Sequence, residues 1–450
     1  MRKLLFFLKA VFLSAVCLMA SLTVTAQTFY ENGIMYEMTS YDWNEAVVVS
    51  SYYDDYRGDI VIPETVTTVL WSNYEEYEVT VTVTGIGDEA FRDCNQLTSV
   101  SLPNTITSIG RNAFYGCSAL TGITLPSSLT SIAASAFGYC TSLSSITIPS
   151  NVTSIGWNVF YCCTGLTSVS ILSPVTQLNG TFFGCTGLTS IELPESLITL
   201  DGTFTGCTGL TSIVVPASVG YIGARTFDGC TALTSVVLPS SLTYLAEQAF
   251  FNCENLETVT CLAATPPAMY TYNSECFDYS TYMNGILYVP GASIDRYNST
   301  DWWSLFQNVK GLMSLNETSL TLEKGRSFNL VPTFAPGFNP GSPVSWQSSN
   351  PAIVTVTTDG LIKAIALGEA FIYASVENEE VSCKVIVIAG TSILGDVDGD
   401  GEVGISDVTA LIDIIVMGTG DPALHDVDGD GEVGISDVTL LIDMILTGGF

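Results

Sequence analysis

The stretch "LTSVSLPNTITSIGRNAFYGC" at 97–117 returns down the chain, for example as "LTSVVLPSSLTYLAEQAFFNC" at 233–253. Its anchor, Phe-x-x-Cys, falls at Phe91/Cys94, Phe114/Cys117, Phe137/Cys140, Phe160/Cys163, Phe182/Cys185, Phe204/Cys207, Phe227/Cys230 and Phe250/Cys253, in steps of 23, 23, 23, 22, 22, 23 and 23 residues. A constant period of this length marks a solenoid with one supersecondary unit per rung, because a single unit cannot bury its apolar side and a stack can.

Within a rung, Leu97, Val100 and Leu102 face in while Ser99 and Ser101 face out, which is strand spacing. Pro103 and Asn104 turn the chain, Ile106 and Ile109 return it, and Phe114 and Cys117 fill the far side of the core. The eight ladder cysteines then point the same way, one above another. Parallel Cβ vectors are the wrong geometry for a bridge, so these read as buried free thiols. Cys261 and Cys276 lie outside the ladder and offer the one candidate disulfide.

The outward strand positions are Ser99/Ser101, Gly122/Thr124, Ser145/Thr147, Ser168/Ser170, Ser190/Glu192, Ser212/Val214 and Ser235/Val237. From Cys94 to Cys253 there are five acids (Glu192, Glu195, Asp201, Asp228, Glu247) and two bases (Arg111, Arg225). Such a face is either a broad protein-binding surface or simply an exposed strand rich in Ser and Thr. Tyr115, Tyr161, Phe183 and Phe251, each following a ladder Phe, give either turn packing or an exposed aromatic strip on the opposite side.

The repeated phrase resembles the BspA-type leucine-rich repeats of bacterial surface proteins over roughly 85–260. "DIVIPETV" at 59–66 reads as a first rung and "GILYVPGASIDRYNSTDWWSLFQNVKG" at 285–311 as the family's closing segment. Residues 27–84 and 262–312 then cap a solenoid over 85–261. The acidic, tyrosine-rich pieces "SYYDDY" (51–56) and "NYEEYE" (73–78) read as a charged cap on the edge, with sugar stacking as the alternative. The resemblance implies adherence to host proteins or to other microbes.

From about 313 the period ends, and short alternating strands separated by Gly, Pro and Asn turns take over. Trp346 and the phrase "SSNPAIVTV…DGLIKAIALGEAFIYA" make 313–390 resemble a bacterial Ig-like domain of group 2, a β-sandwich that implies a spacer. Cys383 stands alone, without the partner of an antibody-type disulfide.

The last segment, 391–450, writes "DVDGDGEVGISDVT" twice, at 396–409 and 426–439. Acids at loop positions 1, 3, 5 and 12, with glycine at 6, are calcium-loop spacing, with Asp in place of Glu at 12. The first loop offers Asp396, Asp398, Asp400 and Asp407 with the backbone carbonyl of Glu402. The second offers Asp426, Asp428, Asp430 and Asp437 with that of Glu432. Two Ca2+ ions are therefore expected. After each loop an apolar helical stripe follows, Val408/Leu411/Ile412/Ile415 and Val438/Leu441/Ile442/Ile445.

A loop followed by one helix, in two copies, resembles a type I dockerin. That resemblance implies a cohesin domain of a scaffolding protein as partner, in a polysaccharide-degrading or cell-surface assembly. Ile405/Ser406 and Ile435/Ser436 stand where the family carries its partner-reading pair. Two identical loop-helices related by a pseudo-twofold can offer one face to a partner in either orientation.

"MRKLLFFLKAVFLSAVCLMASLTVTAQ" has basic Arg2, Lys3 and Lys9, an apolar run, and Val24-Thr25-Ala26 before Gln27, the pattern of a secretory signal over 1–26. It points to a secreted or cell-surface protein. No later stretch is apolar and long enough for a transmembrane segment. The net charge of −32 excludes nucleic acid, since phosphate binding needs clustered Lys and Arg. The single histidine, His425, lies between the terminal repeats, so no Ser–His or Cys–His pair forms in the solenoid.

The fold class expected is mainly β: a solenoid of about eight 22–23-residue rungs, a β-sandwich, and a small α-helical calcium-binding dockerin. The function expected is non-catalytic binding of a host or microbial surface protein, moored through a cohesin. A carbohydrate-binding accessory subunit, with polysaccharide as partner, is the second reading, and a glycoside hydrolase is the third.

Overall fold

The computed structural model describes residues 27–40, 44–51, 56–72, 75–270, 275–389, 394–399, 402–420 and 422–447. The signal reading at 1–26, parts of both tyrosine-rich pieces, and Asp400 lie outside them. The chain forms two compact units, one of Met1–Val289 with Ser293–Lys310 and one of Pro290–Ala292 with Gly311–Phe450.

In the first unit each rung turns three corners. Its first side carries short parallel strands, in three sheets: Gly58–Val61, Leu97–Ser101 and Gly122–Ile123; then Ser145–Ile148 and Ser168–Ile171; then Ser212–Val214, Ser235–Leu238, Thr258–Cys261, Ile286–Val289 and Asn308–Gly311. The strands are short because a proline follows most of them and removes a ladder donor. Register pairs like with like: Ser145 lies beside Ser168, Ile146 beside Val169, Thr147 beside Ser170. Gly58–Val61 and Ile286–Val289 pair in parallel with the rungs beside them, so both flanks continue the stack.

The second side is another parallel ladder, Ser108–Ile109, Ser131–Ile132 and Ser154–Ile155, taken up again from Gln177–Asn179 to Ala268–Tyr270. The third side is a turn whose backbone N–H groups reach the next rung, as Phe91 to Ala113, Phe114 to Ala136 and Phe137 to Val159. These buried backbone donors thus find carbonyls without a strand.

Inside, the Phe rings stack from Phe91 to Phe277 with centroids 4.8–5.8 Å apart and planes within 12°. Each ladder thiol from Cys117 to Cys253 donates to a Phe carbonyl one rung back, from Cys117 Sγ to Phe91 O at 3.0 Å through Cys253 Sγ to Phe227 O at 3.1 Å. Cys261 and Cys276 are free and buried, which corrects the candidate disulfide. The hydroxyl of Tyr297 donates to Cys261 Sγ at 3.2 Å, and Cys276 Sγ donates to Ala246 O at 3.3 Å.

The second unit contains a sandwich and a helical segment. A four-stranded sheet (Ser319–Glu323, Glu379–Ile388, Gly368–Val376, Ser345–Ser348) and a three-stranded one (Ser327–Asn329, Leu361–Ala364, Val354–Val356) bury Leu330, Val354, Ile362, Ile372, Cys383 and Val385. Gly360, at φ +89°, turns the chain against the Trp346 ring, where a Cβ would lie 2.7 Å from Cζ2. The helices Ile405–Met417, Pro422–His425 and Ile435–Thr447 follow, with Leu411, Val427, Val438 and Leu441 as their small buried core. Among the described residues no helix is long and apolar enough to cross a membrane.

Candidate functional site

Each terminal loop closes on the aspartate at position 12. Asp407 is buried, and its Oδ1 accepts from the backbone N–H of Val397 (2.7 Å) and Asp398 (3.0 Å) while Oδ2 accepts from Gly404 (2.7 Å). Asp437 repeats this with Val427 (2.7 Å), Asp428 (3.1 Å) and Gly434 (2.7 Å). Burial opposes the charge on Asp437, yet these backbone donors outweigh it and hold the carboxyl below the usual range. In the second loop Asp426 also accepts from Gly429, Asp430 and Gly431, which curls the chain around its carboxylate.

The loops bring carboxylates together. One oxygen each of Asp396, Asp398 and Asp407 lie within 4.8 Å of one another, as do those of Asp426, Asp428 and Asp430. Glu402 and Glu432 have exposed side chains, so their assigned role rests on the backbone. Residues 391–450 hold thirteen Asp and Glu and no Lys or Arg. Clustered carboxylates without bases, offering oxygen alone, fit a hard divalent cation of the calcium class.

Beyond the loops, the two helices bury less than their sequence stripe predicts. Leu411 and Leu441 are fully buried, but Ile412 and Ile442 are exposed. With Ile405 and Val416 on one helix, and Ile435 and Leu446 on the other, they stand at i, i+7 and i+11, one helical face. Ile405 is 78% exposed and Ile435 83%. Ser406 and Ser436 are exposed beside them.

On the solenoid, the outward strand positions form a groove of about 880 Å³ lined by Ser99, Ser101, Thr124, Ser145, Thr147 and Leu172. Tyr115, Tyr161 and Phe183 meet in a surface ladder whose missing member the Phe-plus-one reading passed over. Tyr139 sits between Tyr115 and Tyr161, with both centroid distances 5.3 Å, and Tyr161 stacks on Phe183 at 4.9 Å. Tyr139 follows its Phe by two positions instead of one. Phe251 stands apart, separated from the ladder by rungs that carry Thr205 and Asp228. Tyr221 and Tyr244 make a second exposed-side pair at 5.1 Å.

Three profiles match the chain: "BspA type Leucine rich repeat region" in six copies over 65–184 and 176–284, "Bacterial Ig-like domain (group 2)" over 312–385, and "Dockerin type I domain" over 394–446. A comparison with curated proteins found no match. Among solved structures, a leucine rich cell surface protein from Faecalibacterium prausnitzii is 20% identical with TM-score 0.30, covering 64% of this chain and 96% of its own. A leucine-rich repeat protein from Bacteroides ovatus is 20% identical with TM-score 0.29, covering 63% and 99%. Another from Bacteroides capillosus is 29% identical with TM-score 0.27, covering 32% and 97%. The matched domains are non-catalytic types, the repeat and dockerin regions are typical of extracellular or cell-surface proteins, and dockerins bind Ca2+ and dock to cohesins. The chain carries a BspA-type leucine-rich repeat region, a group 2 bacterial Ig-like domain and a type I dockerin domain.

Proposed function

We propose that this is a non-catalytic exported binding protein. Its solenoid engages a protein or surface target, its Ig-like domain spaces the solenoid, and its dockerin moors it to a cohesin with two Ca2+ ions held. The domain limits are those read from the sequence, 27–84 and 262–312 as caps, 85–261 as repeats, 313–390 as spacer and 391–450 as dockerin. Asp396, Asp398, Asp400, Asp407 and the Glu402 carbonyl hold one ion, and Asp426, Asp428, Asp430, Asp437 and the Glu432 carbonyl the other. The ions neutralise the loop carboxylates and so set each helix in place. The backbone donors to Asp407 and Asp437 orient those carboxylates toward their loops.

The observation that carries the reading is the pair of matching exposed faces, Ile405/Ser406/Ile412/Val416 and Ile435/Ser436/Ile442/Leu446. Apolar side chains left in water on a surface this small mark a contact area. Titration calorimetry of the full chain with calcium, against type I cohesins, tests it. Losing one of two equivalent modes halves the association constant, so replacing Ile405 and Ser406 by Ala alone weakens binding about twofold. Replacing Ile435 and Ser436 as well abolishes it. Abolition by one pair alone would show that the faces are not interchangeable.

A further inference from the structure

The second residue after each ladder Phe holds the chain in a left-handed turn. Asp93, Gly116, Tyr139, Cys162, Gly184, Gly206, Gly229 and Asn252 all have positive φ. Gly, Asn and Asp suit that conformation, and a bulky side chain does not. Tyr139 stands there at φ 58°, and the residue before it, aromatic in the rungs of Tyr115, Tyr161 and Phe183, is Gly138. In this rung the aromatic and the small residue have changed places.

The exchange has a geometric effect. A Cβ on Gly138 would lie 2.8 Å from Cδ2 of Tyr115, so the Tyr115 ring occupies the space that the absent side chain leaves. Tyr139 then crosses Tyr115 at 69° and Tyr161 at 68°, whereas the buried Phe rings stack within 12°. The result is a stepped surface of differently tilted rings, with Tyr139 39% exposed. Turn formation does not require it, since glycine makes the same turn at 116, 184, 206 and 229 without strain. Strain held where packing does not demand it points to use of the side chain.

We propose that Tyr115, Tyr139, Tyr161 and Phe183 form a binding strip for a neutral polysaccharide chain. The rings recur once per rung, 4.9–5.3 Å apart, which suits an extended polymer with a short repeat of its own. Sugar rings present C–H faces bordered by hydroxyls, and a tyrosine offers an apolar body with a polar tip. Charge selects among glycans. The protein carries −32, and Arg92, over the Tyr115 ring at 5.4 Å, is already paired with Glu89 and Asp93, so an acidic polymer is repelled. A peptide adding by its backbone finds no free edge here. Tyr139 N–H donates to Tyr161 O, Cys162 N–H to Phe183 O and Gly116 N–H to Gly138 O. Trp157, in the rung of Tyr161, is also exposed.

The strip uses no residue of 391–450, so it stands or falls separately from the docking proposal. The test is titration calorimetry of the full chain with calcium against cellohexaose, xylohexaose and mannohexaose, with polygalacturonate and a proline-rich peptide as the acidic and peptide probes. At least one neutral hexasaccharide is expected to bind. Tyr139→Gly, which restores the turn's usual residue, is expected to weaken it at least about tenfold while the folded circular-dichroism spectrum is kept. Gly138→Ala, which displaces the Tyr115 ring without removing an aromatic, is expected to weaken the same ligand. Binding of no neutral hexasaccharide, undiminished binding by Tyr139→Gly, or binding of the peptide in their place would overturn the proposal.

Discussion

A cysteine suits the inner column because its thiol is nearly apolar yet can donate, and a Phe carbonyl stands in front of it one rung back. Removing the thiol takes away one of the two bonds to that carbonyl, which keeps the one from the Cys140 backbone N–H. Cys163→Ala is therefore expected to cost about 0.5–1.5 kcal/mol in denaturant melts. The same burial makes these thiols inert. An alkylating reagent applied to the native protein is expected to reach Cys162, which is half-buried, and to spare the eleven buried cysteines described, as peptide mapping would read. The Cys column itself was legible in the Phe-x-x-Cys spacing. The thiol's acceptor was not, because a turn places it 26 residues away in sequence. Tyr139 escaped for a different reason: Gly138 occupies its aligned position and breaks the column that the spacing follows.

At the level of the rung, side chains pointing into the stack and out of it should differ widely in worth. Phe160 stacks between Phe137 and Phe182 and is fully buried, so Phe160→Ala is expected to cost about 3–5 kcal/mol. Ser145 points to water from the strand Ser145–Ile148, and Ser145→Ala is expected to cost less than about 0.5 kcal/mol. Comparable losses in the two variants would mean the rung is inside out. Burial also pushes the thiols of Cys163, Cys207 and Cys253 up to about 12 from the ordinary 9.0. An acid whose folded value is raised keeps its proton in the fold longer than in the unfolded chain. The stability it contributes is thus complete below pH 9.0 and is lost as pH climbs toward 12, and alkaline melts should fall across that window. Strand periodicity was readable here because Ser99, Val100, Ser101 and Leu102 alternate polar and apolar. Helix burial was less so, since i, i+3, i+4 and i+7 name a stripe but not its width, and Ile412 and Ile442 fall on its exposed border.

Across the whole chain, three successive patterns mark the parts: a 22–23-residue period, then strand alternation, then a doubled loop-helix. These are long-range regularities, which is why the fold class was legible while a side-chain pairing such as Cys261 with Cys276 was not; that depends on which cap residue, here Tyr297, arrives beside the thiol. The parts should also fail separately. Rung contacts run between neighbours, so deleting 391–450 is expected to leave the solenoid's melt unchanged. The dockerin has no comparable reserve: its buried core is Leu411, Val427, Val438 and Leu441, too few to hold so short a segment without a metal. Chelation also leaves carboxylates clustered in each loop, Asp396, Asp398 and Asp407 in the first and Asp426, Asp428 and Asp430 in the second, with no Lys or Arg in 391–450 to offset them. Removing calcium is therefore expected to abolish the circular-dichroism signal of the helices Ile405–Met417 and Ile435–Thr447, with the β signal of the solenoid kept. Changing Asp396 and Asp400 to Ala disables the first loop alone. Because the two helices have 13 residues each, half of the helical signal should then survive, and return of calcium should not restore the rest. A helical signal indifferent to chelation would mean that the backbone donors to Asp407 and Asp437 suffice to hold the loops, and that no ion is needed.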